Sequence, residues 1–278
     1  MFEFIAFLIA LAGTIIASYY DLKTTEIPDA LPIFMIVSGI SVNLLDFLIS
    51  GSAENLILSL MNGVIFSIIG FFMYFGGQWG AGDAFLLSAV GFLIPKNFII
   101  ADDFPFFFTY LLNLFLLGSV YMIVYSVVYA LKNEKALKMF KSQVRNSFKT
   151  MLILFFIFAI ASYLFSLMIF KEVILKLVFL SPTISILLIL LWLFSKSVEK
   201  SFIKRIPVSK LKVGDVLLES KRWDGVTKEE IEKIKKRGRK YVYIKSGICF
   251  APAFPIALLF TMFYGNSVII FLNLLSLI

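Results

Sequence analysis

The chain has no histidine and a single cysteine, Cys249. A Ser-His-Asp triad, a Cys–His couple, Cys/His zinc spacing and an intramolecular disulfide are thereby excluded. The 18 carboxylates are the main candidates for side-chain chemistry. Glu3, Asp46, Glu54, Asp102, Asp103 and Glu172 flank apolar runs and read as solvated charge; Glu134, Glu199 and the acidic residues of 199–247 accompany basic neighbours and read as surface charge. Asp21, Glu26 and Asp29 share one short connection, and Asp83 follows the run Gly76-Gly77-Gln78-Trp79-Gly80-Ala81-Gly82. An ionisable group at a membrane boundary is costly and marks a functional position. Glycines such as Gly80 and Gly82 let a backbone come close without a Cβ in the way, which suits a site that admits an extended substrate. Spacing alone leaves a second reading open. Asp83 is also suited to capping a helix, and Asp21 to meeting headgroups and water at a helix end.

Two carboxylates held together cannot readily both ionise, so one keeps a proton and the other loses it. The ionised one takes a proton from water, which attacks a peptide carbonyl. The protonated one polarises that carbonyl and then protonates the leaving amine. This chemistry requires no cofactor and no metal, and none is expected. Asp83 at the start of one helix and Asp21 at the end of another meet opposite helix-dipole ends, which assigns Asp83 as base and Asp21 as acid.

The elements that must position this pair are apolar. Sixty per cent of the 278 residues are hydrophobic and 16% charged, far from the balance of a soluble domain. Runs long enough to cross a bilayer lie at 2–20, 30–50, 55–75, 84–100, 105–131, 150–170, 173–195 and 248–277. The expected fold is an all-α polytopic membrane bundle of about eight transmembrane helices with a small cytoplasmic α/β insert. Pro95 and Lys96 shorten the fourth span, and Pro252, Pro255 and Gly265 kink or break the last. The expected divisions are a catalytic transmembrane core at 1–131, a basic amphipathic segment at 132–149, a transmembrane hairpin at 150–198, the insert at 199–247 and a final span at 248–278.

Of the 26 basic residues, all but Lys23, Lys96, Lys171 and Lys176 lie in 132–149 and 196–247. The positive-inside rule therefore puts both segments in the cytoplasm, the N-terminus outside, and the ends of spans 1 and 3 at the cytoplasmic face of a cell membrane. Asp21 and Asp83 then share that face. Because the basic residues flank spans, the net charge of +8 reads as topology, not as nucleic-acid binding. Segment 132–149 interleaves bases with Leu137, Phe140, Val144 and Phe148; it reads either as a helix lying on anionic lipid or as an extension of span 5. In the insert, 206–218 alternates apolar positions, and Thr227 with Glu230 forms a capping box. Ile231 and Ile234 give the following helix an apolar side, and 241–245 reads as a strand.

At the two aspartates the sequence resembles the archaeal prepilin and preflagellin peptidases, which are GxGD-type membrane aspartyl proteases. Gly80-Ala81-Gly82-Asp83 is similar to their Gly-x-Gly-Asp. Asp21-Leu22-Lys23 through Ile27-Pro28-Asp29 is similar to their first-aspartate segment. Leu211-Lys212-Val213-Gly214-Asp215-Val216 and Gly247-Ile248-Cys249-Phe250-Ala251-Pro252-Ala253 look like late segments of the archaeal branch, with Cys249 where a proline is common. The resemblance implies an aspartyl endopeptidase with Asp21 and Asp83 as catalytic residues. Its substrates would be prepilin or prearchaellin proteins, cut after a basic leader at the cytoplasmic membrane surface. The cysteine quartet of members that also methylate the new N-terminus is absent, so no methyltransferase activity is expected.

Glu26 and Asp29 could hold the cationic leader, although Asp29 is equally suited to capping span 2. Two alternatives stay open. Presenilin and signal peptide peptidase share Gly-x-Gly-Asp and the Tyr20-Asp21 pair, but their Pro-Ala-Leu motif is missing. An ion-coupled transporter would also use membrane carboxylates, preferably near the bilayer midplane.

Overall fold

The computed structural model describes residues 1–100 and 104–270. The chain is mostly helical. Among the described residues six helices are long and apolar enough to cross a membrane: α1 (Phe2–Thr24), α2 (Ala30–Ser50), α3 (Glu54–Phe75), α5 (Phe106–Lys132), α6 (Glu134–Phe170) and α7 (Leu175–Ser201). The fourth and eighth expected spans differ. They form α4 (Ala81–Leu93) and α9 (Ala253–Tyr264), of 13 and 12 residues. At about 1.5 Å per residue each is about 20 Å long or less, short of a hydrocarbon core about 30 Å thick. Asp102 and Asp103, and the end of the last expected span, lie outside the described residues.

The chain divides into two compact units, 1–123 with 205–278, and 124–204. In the first, α4 is the central helix and packs against α1, α2 and α3. Ala84, Leu86, Leu87, Ala89, Val90 and Leu93 are all fully buried, as expected of a helix that is apolar all round. A Cβ on Gly91 would lie 2.7 Å from the carbonyl of Asn62 in α3, so only glycine permits that approach.

A helix that stops inside an apolar bundle leaves carbonyls without intrahelical partners. Side chains from neighbouring helices supply them. Asn43 of α2 donates to the carbonyls of Phe92 and Leu93, each at 3.3 Å, and Ser59 of α3 donates to Phe92 O at 2.6 Å. Asn62 donates to Ile94 O at 2.9 Å and Pro95 O at 2.8 Å. The break after α9 is closed in the same way. Asn113 of α5 donates to Thr261 Oγ1 and to Gly265 O, both at 2.8 Å, and accepts from Ser267 N at 3.0 Å.

The insert forms a three-stranded sheet in the order β1 (Ile203–Pro207), β3 (Tyr241–Lys245), β2 (Val216–Leu217). Strands β2 and β3 are antiparallel, with Val216 opposite Lys245 and Leu217 opposite Ile244. Helix α8 (Lys228–Lys236) opens on the expected capping box, Glu230 N to Thr227 Oγ1 at 3.3 Å and Thr227 N to Glu230 Oε2 at 2.9 Å. Val208, Leu211, Val226, Ile231 and Val242 make a small core.

In the second unit, α6 and α7 form a hairpin. The basic segment is neither a separate surface helix nor an extension of span 5. Asn133 ends the preceding helix and caps the next, its side chain accepting from Lys135 N at 3.0 Å, and α6 then runs unbroken from Glu134 to Phe170. With no glycine or proline between 134 and 170, nothing interrupts the helix where the basic turns give way to apolar ones.

Candidate active site

Helix α1 carries Asp21 one turn before its end. Thr25, in the left-handed conformation at φ 59°, terminates it and donates its N–H to Asp21 O. Asp21 is 8% exposed. Its Oδ2 accepts from the backbone N–H of Ala251 at 3.0 Å, and its carbonyl accepts from Cys249 Sγ at 3.2 Å. Both donors lie just before α9. Each aspartate's own helix end, taken alone, favours Asp83 as base and Asp21 as acid. The fold brings the start of α9 to Asp21, so both carboxyls stand at a helix N-terminus, and the dipoles no longer assign acid and base.

Asp83 is the third residue of α4, and the N-cap is Gly80. The reading of Asp83 as an N-cap is therefore replaced by a return contact: Asp83 Oδ2 accepts from Gly80 N at 3.3 Å. The connection from α3 is a tight turn in which Gly77 N reaches Tyr74 O and Gln78 N reaches Met73 O, both at 2.9 Å. Trp79, 7% exposed, anchors the turn inward against Phe115, Phe250 and Phe254, with ring centroids 5.5 to 6.1 Å away. Gly82 packs on the Asp21 loop, where a Cβ would lie 3.0 Å from Ile27 Cβ. Gly80 has room: a Cβ there would be 3.5 Å from Asp83 Oδ2, an ordinary contact.

The two aspartates line one open cavity of about 710 Å³. Asp21, Glu26, Asp29, Asp83 and Asp224 all border it, and no Lys or Arg is among its lining residues. Glu26 and Asp29 are exposed on the rim. Asp29 occupies the N-cap position of α2, but its side chain makes no capping hydrogen bond. The structure thus gathers every site residue read from the sequence: Asp21, Asp83, Gly80, Gly82, Glu26 and Asp29. It adds Trp223, Asp224 and Gly225 of the insert as further walls, together with the Ala251 donor. No local pattern marks Trp223 or Asp224; the similarity of 247–253 to a family segment was the one signal for Ala251. Among the described residues, no group of three or more His, Cys, Asp or Glu could hold a metal ion.

Residues 8–127, which contain both aspartates, match the model of the type IV leader peptidase family. The chain is 37% identical over 92 residues to the preflagellin peptidase of Methanocaldococcus jannaschii, a match covering 33% of this chain and 39% of that one. It is 38% identical over 98 residues to the preflagellin peptidase of Methanococcus maripaludis, covering 33% of this chain and 40% of that protein. The chain thus spans about two-fifths of the length of the curated relatives it matches. No solved structure matches.

Proposed function

We propose that this chain is an aspartyl endopeptidase that removes the basic leader from type IV pilin-like or archaellin precursors at the cytoplasmic face of the membrane. The observation that carries this reading is that Asp21 and Asp83, from the ends of two different helices, border one open cavity. The likeness of residues 8–127 to leader peptidases supports it. Whichever aspartate has lost its proton activates water for attack on the scissile carbonyl. The other polarises the carbonyl and delivers its proton to the leaving amine. No metal takes part in this scheme, and methyl transfer is not included in it.

The rim suits a cationic leader. Five carboxylates and no base border the cavity, so a Lys- or Arg-rich segment is attracted and held in register. Glu26 and Asp29 are proposed to make that contact, and among the described residues neither is in an ion pair. The orientation follows from charge: α6 begins with Lys135, Lys138, Lys141 and Arg145, which would lie against anionic lipid on the cytoplasmic side, with the N-terminus outside. On this scheme α4 and α9 complete the bundle as short internal helices. A transporter reading has less support, because the buried Asn43, Asn62 and Asn113 are each occupied with helix ends.

Purified protein in proteoliposomes, given a precursor with a basic leader, should release one leader peptide detectable by mass spectrometry. Asp21→Asn and Asp83→Asn should each abolish release. Leader release by both variants at the wild-type rate would refute the assignment, and solute flux lost with Asp83→Asn but without any cleavage would favour a transporter.

A further inference from the structure

The insert reaches back to the turn that carries Asp83. Residues 220–224 cross the end of α3 as a strap. The carbonyl of Lys221 presses on Gly77, where a Cβ would lie 2.6 Å from it; Gly77 also has φ +70°, so no other residue fits there without strain. The indole Nε1–H of Trp223 donates to Gly77 O at 3.0 Å. Tyr74 OH donates to Asp224 Oδ1 at 2.7 Å, and the Arg222 guanidinium stands 4.9 Å from the Phe75 ring centroid. On the other side Lys245 of β3 holds the strap. Its Nζ donates to Ser220 O at 2.9 Å and lies 4.4 Å over the Trp223 ring.

The 76–80 turn is the sole covalent link between α3 and Asp83. Three of its residues are Gly76, Gly77 and Gly80, so it has little intrinsic stiffness. Trp79 fixes it from inside the bundle, and Trp223 is the side chain that takes up a carbonyl from outside. We propose that Trp223 is a positioning residue. By pinning Gly77 O it sets the path of the turn, and through Gly80 N–H the place of Asp83, so the insert completes the catalytic pair. The proposal rests on the peptidase reading for its consequence on rate, but its structural content stands apart from any activity.

The test uses the full chain in proteoliposomes. Trp223→Phe keeps a ring beneath Lys245 and deletes only the indole donor. Hydrogen exchange in the segment spanning 76–84 should accelerate about tenfold, as loss of one hydrogen bond implies, while the end of α1 around Asp21 is unchanged. Leader cleavage should lose about tenfold in kcat with KM within about twofold, because geometry at the reacting carboxyl matters in the transition state. Tyr74→Phe, which removes the neighbouring bond to Asp224, should move both readouts in the same direction by less. Unchanged exchange at 76–84 in Trp223→Phe overturns the proposal, whether or not the wild type cleaves anything. A rise in KM at constant kcat also overturns it, since Trp223 would then be touching substrate. Failure of the wild-type chain to cut any precursor, with exchange altered as expected, would instead sink the peptidase reading and leave the positioning role standing.

Discussion

The carboxyl of Asp21 accepts a hydrogen bond from the backbone N–H of Ala251, 3.0 Å away in space and 230 residues along the chain. That donor stands two residues ahead of α9, which is itself buried through Ala253, Phe254, Ala257 and Leu258. Asp21 is therefore oriented by a rigid element outside the 8–127 segment that resembles leader peptidases. Asp83 meets its own helix start through Gly80. Each carboxyl is thus held by a backbone amide at a helix start. That arrangement sets both groups in place and leaves oxygen capacity for water and substrate.

The pair predicts the largest losses. Asp21→Asn and Asp83→Asn should each lower cleavage by at least about a hundredfold, as removal of a general acid or base does. Far-ultraviolet circular dichroism and size-exclusion profiles should match the wild type. The double variant should be no worse than the weaker single one, because the two act as a unit; multiplicative losses would argue that they act separately. Cleavage should also be indifferent to EDTA, and inhibition reversed by added zinc would overturn the metal-free scheme.

The glycines should differ in tolerance. Gly80, at φ −73° and ψ 160°, has a backbone any residue adopts, and a Cβ there makes ordinary contact, so Gly80→Ala should retain most activity. Gly82→Ala pushes a Cβ to 3.0 Å from Ile27 and should cost about 1–3 kcal/mol. Ile27→Ala in the same chain should recover part of that loss, because two of the three crowding atoms are Ile27 Cγ1 and Cδ1. Additive effects of the two substitutions on thermal midpoint would show that they do not touch.

Helix ends inside the bundle depend on asparagine. Asn62→Leu frees the carbonyls of Ile94 and Pro95, and Asn113→Leu frees Thr261 and Gly265. Each should destabilise by about 1–3 kcal/mol, the cost of an unsatisfied buried polar group. Thermal unfolding in detergent reads this against Ser185→Ala, which loses only a bond to the carbonyl one turn earlier. A midpoint for Asn62→Leu equal to that of Ser185→Ala would mean the carbonyls find other partners.

Leader preference should reside on the rim. Glu26→Gln and Asp29→Asn should each raise KM several-fold for a precursor with a Lys- or Arg-rich leader and leave a leader with neutral residues unaffected. The effect should fade as salt rises, since both groups are exposed. A selectivity ratio between the two precursors that Glu26→Gln leaves unchanged would remove Glu26 from recognition.

Much about this protein is local and could be read from the chain alone. The lack of histidine and of a cysteine pair left the carboxylates as the main candidates for its chemistry. Eight apolar runs read as long enough to cross a bilayer, and among the described residues six of them form helices of that length. The Thr227–Glu230 cap and the 241–245 strand are short-range patterns whose partners lie within a few residues. Segment 132–149 was legible as basic and amphipathic, but its continuity with α6 was not, since only the absence of a helix break marks it. Tertiary structure decided what depends on distant partners. Helices α4 and α9 end just before Pro95 and at Gly265, breaks already legible in the sequence, but that Asn43, Asn62 and Asn113 of other helices satisfy the carbonyls left there depends on the tertiary structure. Asp21 accepts from Ala251 and Gly77 of the Asp83 turn accepts from Trp223, in both cases across a long stretch of chain. Such contacts form only after the loops between them have closed, and no window of sequence contains both partners.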